Sequence, residues 1–539
     1  MRTRALVACL AASLVPGVPG CLPEQGSLEL SLSLPTEMTL RPSGMTTVTI
    51  TATFPGESPL TSTSVLDGRS FTASDLPIGE DVQLGVVLRD VSNRIVGVGE
   101  AGQPVDLVGD KATTITIPVR KPFVYASGAT PLVSFDTTLD PRLTGFQGTV
   151  GGVSNPLFTI SVGGSRLAVV TMSSVLVIAT DTNAVTGTIA IPSAPRDATA
   201  IPGTQKVAVA HATGITIVDL DTNTVATAMV GPVDRVTAGP NEVGTLYAYG
   251  LVGRVAPSEL PPPMGGCTAP PSSIVAIEVD NPTTRAPKPV GATLADIAAA
   301  PDAARLVAAD PCSGQVVRVT GDPTAEVGTL AVENLAAIER AAVLTVAGNR
   351  IVAAGTDTSM PFCEGPPLGT CSANSAPSCT ATPQNDLGYA ADGATLIVAS
   401  ISLDGTDVVK LVAPDHRETM LDESDAAEQH AQVLKALSIV PLDLVTLPGG
   451  QFVSVIAQSK YFIVAFLPDL PCLDAVAEEW LLFDLASSAV AHRVRTFCEV
   501  AATPPFVTFP DWRCGDPPAA EQSRVQYRPT SVGALFGAR

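Results

Sequence analysis

The residues of this chain best able to do chemistry are ten cysteines and four histidines, set in 539 residues. Cys9 and Cys21 lie near the start. The other eight are Cys267, Cys312, Cys363, Cys371, Cys379, Cys472, Cys498 and Cys514. Thiolates and imidazoles hold zinc when they are closely spaced, so that one loop presents two ligands to one ion. No Cys-x-x-Cys pair occurs, and His211, His416, His430 and His492 are scattered, so neither a metal nor another cofactor is expected. An even set of cysteines in an exported chain points instead to disulfides. Nucleophilic catalysis lacks its usual spacing: there is no Gly-x-Ser-x-Gly, no His-Glu-x-x-His and no glycine-rich phosphate loop. No catalytic residue is assigned.

Single candidates read as structural. His211 closes a strand and is expected to be a hydrogen-bonded surface side chain rather than a base. Asp415-His416-Arg417-Glu418 has the types for acid–base work but reads as a solvated turn. Glu418, Asp422, Glu423, Asp425 and Glu428 lack the alternating acids and glycine of a calcium loop. Asp425 fits a helix N-cap with Glu428 behind it, and Ala431, Val433, Leu434 and Leu437 continue at helical spacing, which predicts a helix over 421–440. Asp181 and Asp221 are expected to stabilise Asp-Thr-Asn turns through their carboxylates. Trp480 is predicted to be core, and Trp512, beside Cys514, a rim anchor.

The formal charge of −21 argues against nucleic acid or an anionic membrane as a partner held by charge. Aromatic residues make up only 4%, which weakens a glycan-stacking surface. Met1-Arg-Thr-Arg4 is basic, and Ala5–Val15 is apolar but too short to span a bilayer. Val18-Pro-Gly-Cys21 resembles the lipobox of bacterial lipoproteins. That resemblance implies a signal peptide over 1–20, a lipid on Cys21, a tether over 21–26 and contact with a membrane through the lipid. Leu22, in the place of a retention Asp, implies the outer membrane. An ordinary cleavage near Gly20 would instead release a freely soluble product.

The elements that must position these residues are all β. Residues 27–120 alternate in Leu28–Leu34, Thr46–Phe54, Val82–Leu88 and Thr113–Val119 with turns between, predicting one immunoglobulin-like β-sandwich that serves as a spacer. Farther on, Gly163–Val170 matches Gly203–Ala210, and Asp181–Val185 matches Asp221–Val225, at a period of 40 residues. That period, with strand patterning, predicts a β-propeller of four-stranded blades over 121–539. The units resemble the YVTN propeller repeats of surface-layer and lactonase-like proteins, most closely at Gly164–Val170 and Asp221–Val225. The resemblance implies a fold and no function.

Eight second-strand candidates occur: Phe123–Ser127, Leu167–Thr171, Val207–His211, Leu246–Gly250, Leu306–Ala309, Ile351–Ala354, Leu396–Ser400 and Phe452–Ile456. If Thr356–Gln384 is an insertion within one blade, the count is seven, which we favour; otherwise it is eight. Pro529–Leu535 resembles the first strand Pro195–Ile201 and is expected to pair beside Phe123–Ser127, closing the ring. With strands A to D alternating, the connections that carry the eight cysteines from Cys267 to Cys514 all fall on one face. The expected function is that of an exported cell-envelope lipoprotein, a non-enzymatic binding or scaffold module for a protein or glycan partner, acting through this disulfide-stapled face. The alternative is a lactonase-like propeller hydrolase with dispersed active-site residues.

Overall fold

A computed structural model describes residues 25–534, apart from short breaks and the stretches 256–269, 358–394, 413–430, 466–472 and 502–528. The described chain is all β, with one 3₁₀ turn at Met38–Leu40. The first domain holds β1 (Gln25–Ser33), β2 (Thr47–Thr53), β3 (Leu60–Val65), β4 (Ser70–Pro77), β5 (Gly79–Arg89), β6 (Ile95–Glu100), β7 (Val105–Leu107) and β8 (Ala112–Arg120). They form one eight-stranded sheet in the order β3-β2-β5-β6-β8-β1-β4, with β7 paired to β5. Its two ends, β3 and β4, come together.

This corrects the expected sandwich: the domain is a near-closed barrel. The bridging element is β1, which pairs antiparallel with β4 and parallel with β8. It joins strands that a sandwich would keep in two separate sheets. Alternation of apolar and polar residues is the same in both architectures, since each buries one face of every strand. Leu28, Leu30, Ile50, Leu84, Leu88 and Ile117 fill the interior.

The rest is a propeller of seven four-stranded sheets. Blade 1 is built from Phe123–Ser127, Leu132–Asp136 and Gln147–Val150 as strands B to D, with Ser531–Ala534 as strand A. Strand A lies antiparallel to strand B, with Val532 opposite Ala126, as the sequence predicts. Each of the seven blade interfaces has its own apolar core, and alternate side chains of one strand feed the cores on either side. Val207 and Val209 pack toward blade 2, while Ala208 and Ala210 pack toward blade 4. Strands buried on both faces read as continuous apolar runs, which is why the second strands are so legible. Neighbouring A strands run side by side around the whole ring. At the closing strand the approach is close: a side chain at Gly533 would run into the carbonyl oxygen of Thr159 in blade 2.

Two expectations are corrected. Leu396–Ser400 lies in the third strand of blade 6 (Thr395–Ser402), not in a second strand, so Thr356–Gln384 falls within one blade and the count is seven. The helix foreseen over 421–440 is a strand from Ala431 onward, part of Ala431–Thr446, the first strand of blade 7. Its backbone pairs with Phe452–Ala465 over most of its length, and that pairing overrides local helical spacing. Asp425 and Glu428 lie outside the described residues. Trp480 is core, as predicted. It is fully buried, stacks on Phe135 at 4.7 Å and donates to Ser454 Oγ at 2.7 Å.

The barrel joins the ring through buried contacts. Arg120, the last residue of β8, donates to the carbonyl of Thr180 (2.6 Å), the hydroxyl of Tyr125 (2.7 Å) and Asn183 Oδ1 (3.2 Å). Its guanidinium lies over the Phe123 ring. Leu40 enters the core between blades 1 and 2.

Removing residues 531–539 is expected to leave blades 1 and 7 with an unclosed interface. Such a chain should melt at lower temperature and self-associate in light scattering. Gly533→Val should reproduce part of the loss, and an unchanged melting curve for both would show that closure is not needed.

Candidate functional site

Strands A to D alternate in direction within each blade, so the A–B and C–D turns leave one face. The B–C and D–A connections leave the other. On that second face blades 1 to 3 carry short B–C turns, at 128–131, 172–173 and 212–213. Blades 4 to 7 carry the cysteine-bearing connections: 253–272 with Cys267, 311–314 with Cys312, 358–394 with Cys363, Cys371 and Cys379, and 466–472 with Cys472. Cys498 lies in the last strand of blade 7 (Ala489–Ala501), which runs toward this face, and Cys514 follows in the D–A connection. The described ends of these connections lie on one face, over four adjacent blades, and of the eight cysteines Cys312 and Cys498 are among the described residues.

Blade 7 is also the longest blade. Its strands Ala431–Thr446, Phe452–Ala465, Leu473–Asp484 and Ala489–Ala501 pair past the ring on the same side, from Ala431 opposite Ala465 to Asp474 opposite Ala501. Cys312 takes part in a disulfide. Its N–H and that of Ser313 donate to Asp310 Oδ1, at 3.0 and 3.1 Å. Cys21, Cys267, Cys363, Cys371, Cys379, Cys472, Cys514, Trp512 and Asp415–Glu418 lie outside the described residues, as do the acids Asp422 and Glu423. Among the described residues no group of three His, Cys, Asp or Glu is arranged to hold a metal. Nor is any described helix long and apolar enough to cross a membrane.

The central channel holds a charge cluster that sequence reading missed. Arg235 opens strand A of blade 4 (Arg235–Pro240). Its guanidinium lies 3.3 Å from Asp197 of blade 3 and 3.7 Å from Asp296 of blade 5. It also reaches the carbonyl of Leu442 in blade 7, at 3.5 Å. Asp197, Asp296 and Asp443 occupy equivalent places, three residues before the end of strand A in blades 3, 5 and 7. Each accepts a backbone N–H from the first strand of the next blade: Val236 at 2.9 Å, Leu344 at 3.0 Å and Val532 at 2.9 Å. Those N–H groups face the inward edge of the blade, where no further strand can pair with them. The carboxylates therefore satisfy the edge and neutralise Arg235 together.

Burial works against the charge of Arg235, but Asp197, Asp296 and Asp443 outweigh it and raise its pKa, keeping it ionised. Burial raises the Asp296 carboxyl above the usual carboxylate value in spite of Arg235. Beside them, burial and then repulsion from Arg235 push Arg254 down to about 10. Arg235 is only 8% exposed. It occupies the space that the sequence reading left to a channel mouth.

His211 is not a surface side chain, for it is buried. Nδ1 accepts from the Thr213 N–H at 3.3 Å, and Nε2 pairs with Thr216 Oγ1 at 2.8 Å, an arrangement that suits the neutral ring. The repeat turns differ in detail from expectation. Asp219, rather than Asp221, accepts the N–H groups of Asp221 and Thr222, at 2.9 and 3.0 Å. Asp221 instead pairs with Arg166 of blade 2 at 2.6 Å, and the Asp181 carbonyl accepts from Glu37 of the barrel domain. Asn183 and Asn223 take positive φ, 53° and 54°, which accounts for the repeated Asn.

No family model and no curated protein matches the chain. Three solved structures illustrate the likeness that is found. One is the hydrazine synthase of Kuenenia stuttgartiensis, at 15% identity over 65% of this chain and 99% of that chain, with a TM-score of 0.36. Another is the WD40 repeats of RRP9, at 10% over 50% and 82%, with 0.32. The third is a protein of unknown function from Bacteroides caccae, at 11% over 54% and 94%, with 0.31. At these values the likenesses carry no argument about function.

Two outcomes are expected. Arg235→Met removes the cation nearest the channel carboxylates and should cost about 3–5 kcal/mol in urea unfolding at neutral pH. The deficit should narrow as the acids take up protons, and a loss below about 1 kcal/mol would show the cluster to be dispensable. Second, burial lowers the His211 pKa below its ordinary value. The unfolded chain then binds more protons than the native one below about pH 6.5. The stability tied to this ring is present above that pH and is lost as pH falls toward the folded value. His211→Gln should flatten the decline between pH 7 and 5, and parallel curves for the two proteins would contradict it.

Proposed function

We propose that this chain is a non-enzymatic binding or scaffold module of the bacterial cell envelope, acting through the loop-bearing face of its propeller. The observation that carries the reading is the gathering of cysteine-bearing connections, long in blades 4 and 6, onto one face of blades 4 to 7, beside an extended blade 7. Binding surfaces are commonly built from elaborated loops on a rigid frame. Disulfides among the eight cysteines would hold such loops in shape before a partner arrives and so reduce the ordering cost of binding. The channel supports the same reading: its converging carboxylates are engaged with backbone N–H groups and Arg235 rather than left to polarise a substrate. Export with a lipid on Cys21, the outer membrane as address and kinship with YVTN-type repeats belong to this proposal, supported by the residues that suggested them.

The test compares the intact lipoprotein with a chain in which 358–394 is replaced by a short linker, both used to capture partners from solubilised envelopes. A partner held by the intact chain and lost by the trimmed one is the expected result, provided both melt alike. Metal-dependent turnover of a lactone by the intact chain, with no loop-dependent partner, would favour the hydrolase instead.

A further inference from the structure

The parallel pairing of β1 with β8 fixes where the chain begins. Ser27 lies opposite Ala112 and Ser33 opposite Pro118. Since β8 ends at Arg120, inside the junction with the ring, Ser33 is at the propeller end of the barrel and Gln25 is at the far end. The antiparallel β1–β4 pair agrees, placing Gln25 opposite Pro77. The neighbouring turns therefore form the far rim. Gly79 pairs with Leu107, which brings Ile78 and Val108 to that rim with their side chains 37% and 54% exposed. Glu80, Asp81 and Asp106 stand there as well, with the Asp81 N–H donating to Asp106 Oδ1 at 3.0 Å.

At its other end the barrel meets the ring on the face of the A–B and C–D turns. Arg120 donates to Thr180, and the N–H of Glu37 and hydroxyl of Thr36 donate to the carbonyl of Asp181. Thr180, Asp181 and Asn183 belong to the C–D turn of blade 2. Lys121 pairs with Asp136 at 2.8 Å, and its N–H donates to Leu40. Contacts from two separate chain segments, Thr36–Leu40 and Arg120–Lys121, leave no free linker between barrel and ring. The loop-bearing face is on the opposite side.

We infer that the far rim of the barrel abuts the bilayer and that the barrel holds the propeller with its loop-bearing face directed away from that surface. The inference rests on the lipid-anchor reading. Three residues separate Cys21 from Gln25, a reach of about 14 Å at full extension. A lipid on Cys21 thus forces the far rim against the headgroups. β1 alone, at nine residues, then sets the ring back by about 30 Å. The acids of the rim oppose attraction to anionic lipid, so the covalent lipid supplies the attachment and the rim sets the posture.

The full chain, purified with its lipid and placed in phosphatidylethanolamine-rich vesicles carrying a headgroup quencher, tests this. A fluorophore on an unnatural residue is placed at position 108 on the rim or at position 172 in the B–C turn of blade 2. Quenching several-fold stronger at 108 than at 172 is expected, with Cys21→Ser losing vesicle binding altogether. Equal quenching, or stronger quenching at 172, on a chain whose Cys21 peptide carries acyl mass overturns the posture alone. An unacylated Cys21 peptide from the native envelope overturns the anchor reading and the posture with it.

Discussion

Everything in the ring depends on one short pairing, that of Ser531–Ala534 with Phe123–Ser127. A blade with apolar side chains on both faces is stable only between two neighbours, because each face buries its residues against the next sheet. Six interfaces can form along the chain as it is made. The seventh needs a strand from the last residues to sit beside the first. The core there holds Val124, Phe135, Phe146, Trp480 and Val532, drawn from both ends of the propeller sequence. The bond from Val532 N–H to Asp443 ties the same strand to blade 7 across the inner edge.

The inner edge poses a second problem, which the charge cluster solves. Seven first strands crowd around a channel with backbone donors that no strand can reach. Aspartates in alternate blades accept some of these donors, and Arg235 offsets the negative charge that results. Burying an ion cluster is costly unless its members are both paired and hydrogen-bonded; Asp197 and Asp296 meet both conditions, and Asp443 accepts the Val532 N–H. What a converging set of carboxylates does is decided by its other partners. In this ring those partners are the neighbouring strands, which leaves the outer loops as the variable surface.

The ring was legible in the sequence because its strands are buried on both sides. Val207–Ala210 and Leu306–Ala309 read as uninterrupted apolar runs at the expected spacing, and Pro529–Leu535 could be matched to Pro195–Ile201 by type. The barrel was not legible as such, because Leu28–Leu34 alternates whether its neighbour is in the same sheet or another. The 421–440 segment misled because Ala431, Val433, Leu434 and Leu437 suit a helix by spacing, while the pairing that decides the matter comes from residues beyond Phe452. Arg235 was invisible for a related reason. Its partners Asp197, Asp296 and Asp443 are distant in sequence, and only their shared place near the ends of first strands marks them as a set. Aligning the first strands by their ends, rather than the second strands by their apolar runs, would have revealed it.

The parallel bonding of β1 to β8 has a mechanical consequence. Tension between the start of the chain and the propeller pulls these two strands in opposite senses along their length. The rungs from Ser27 and Ala112 to Ser33 and Pro118 then bear the load together, instead of opening one after another as in an unzipped hairpin. A stalk loaded in shear resists being drawn out, so a tug on the ring would be borne by the whole ladder at once.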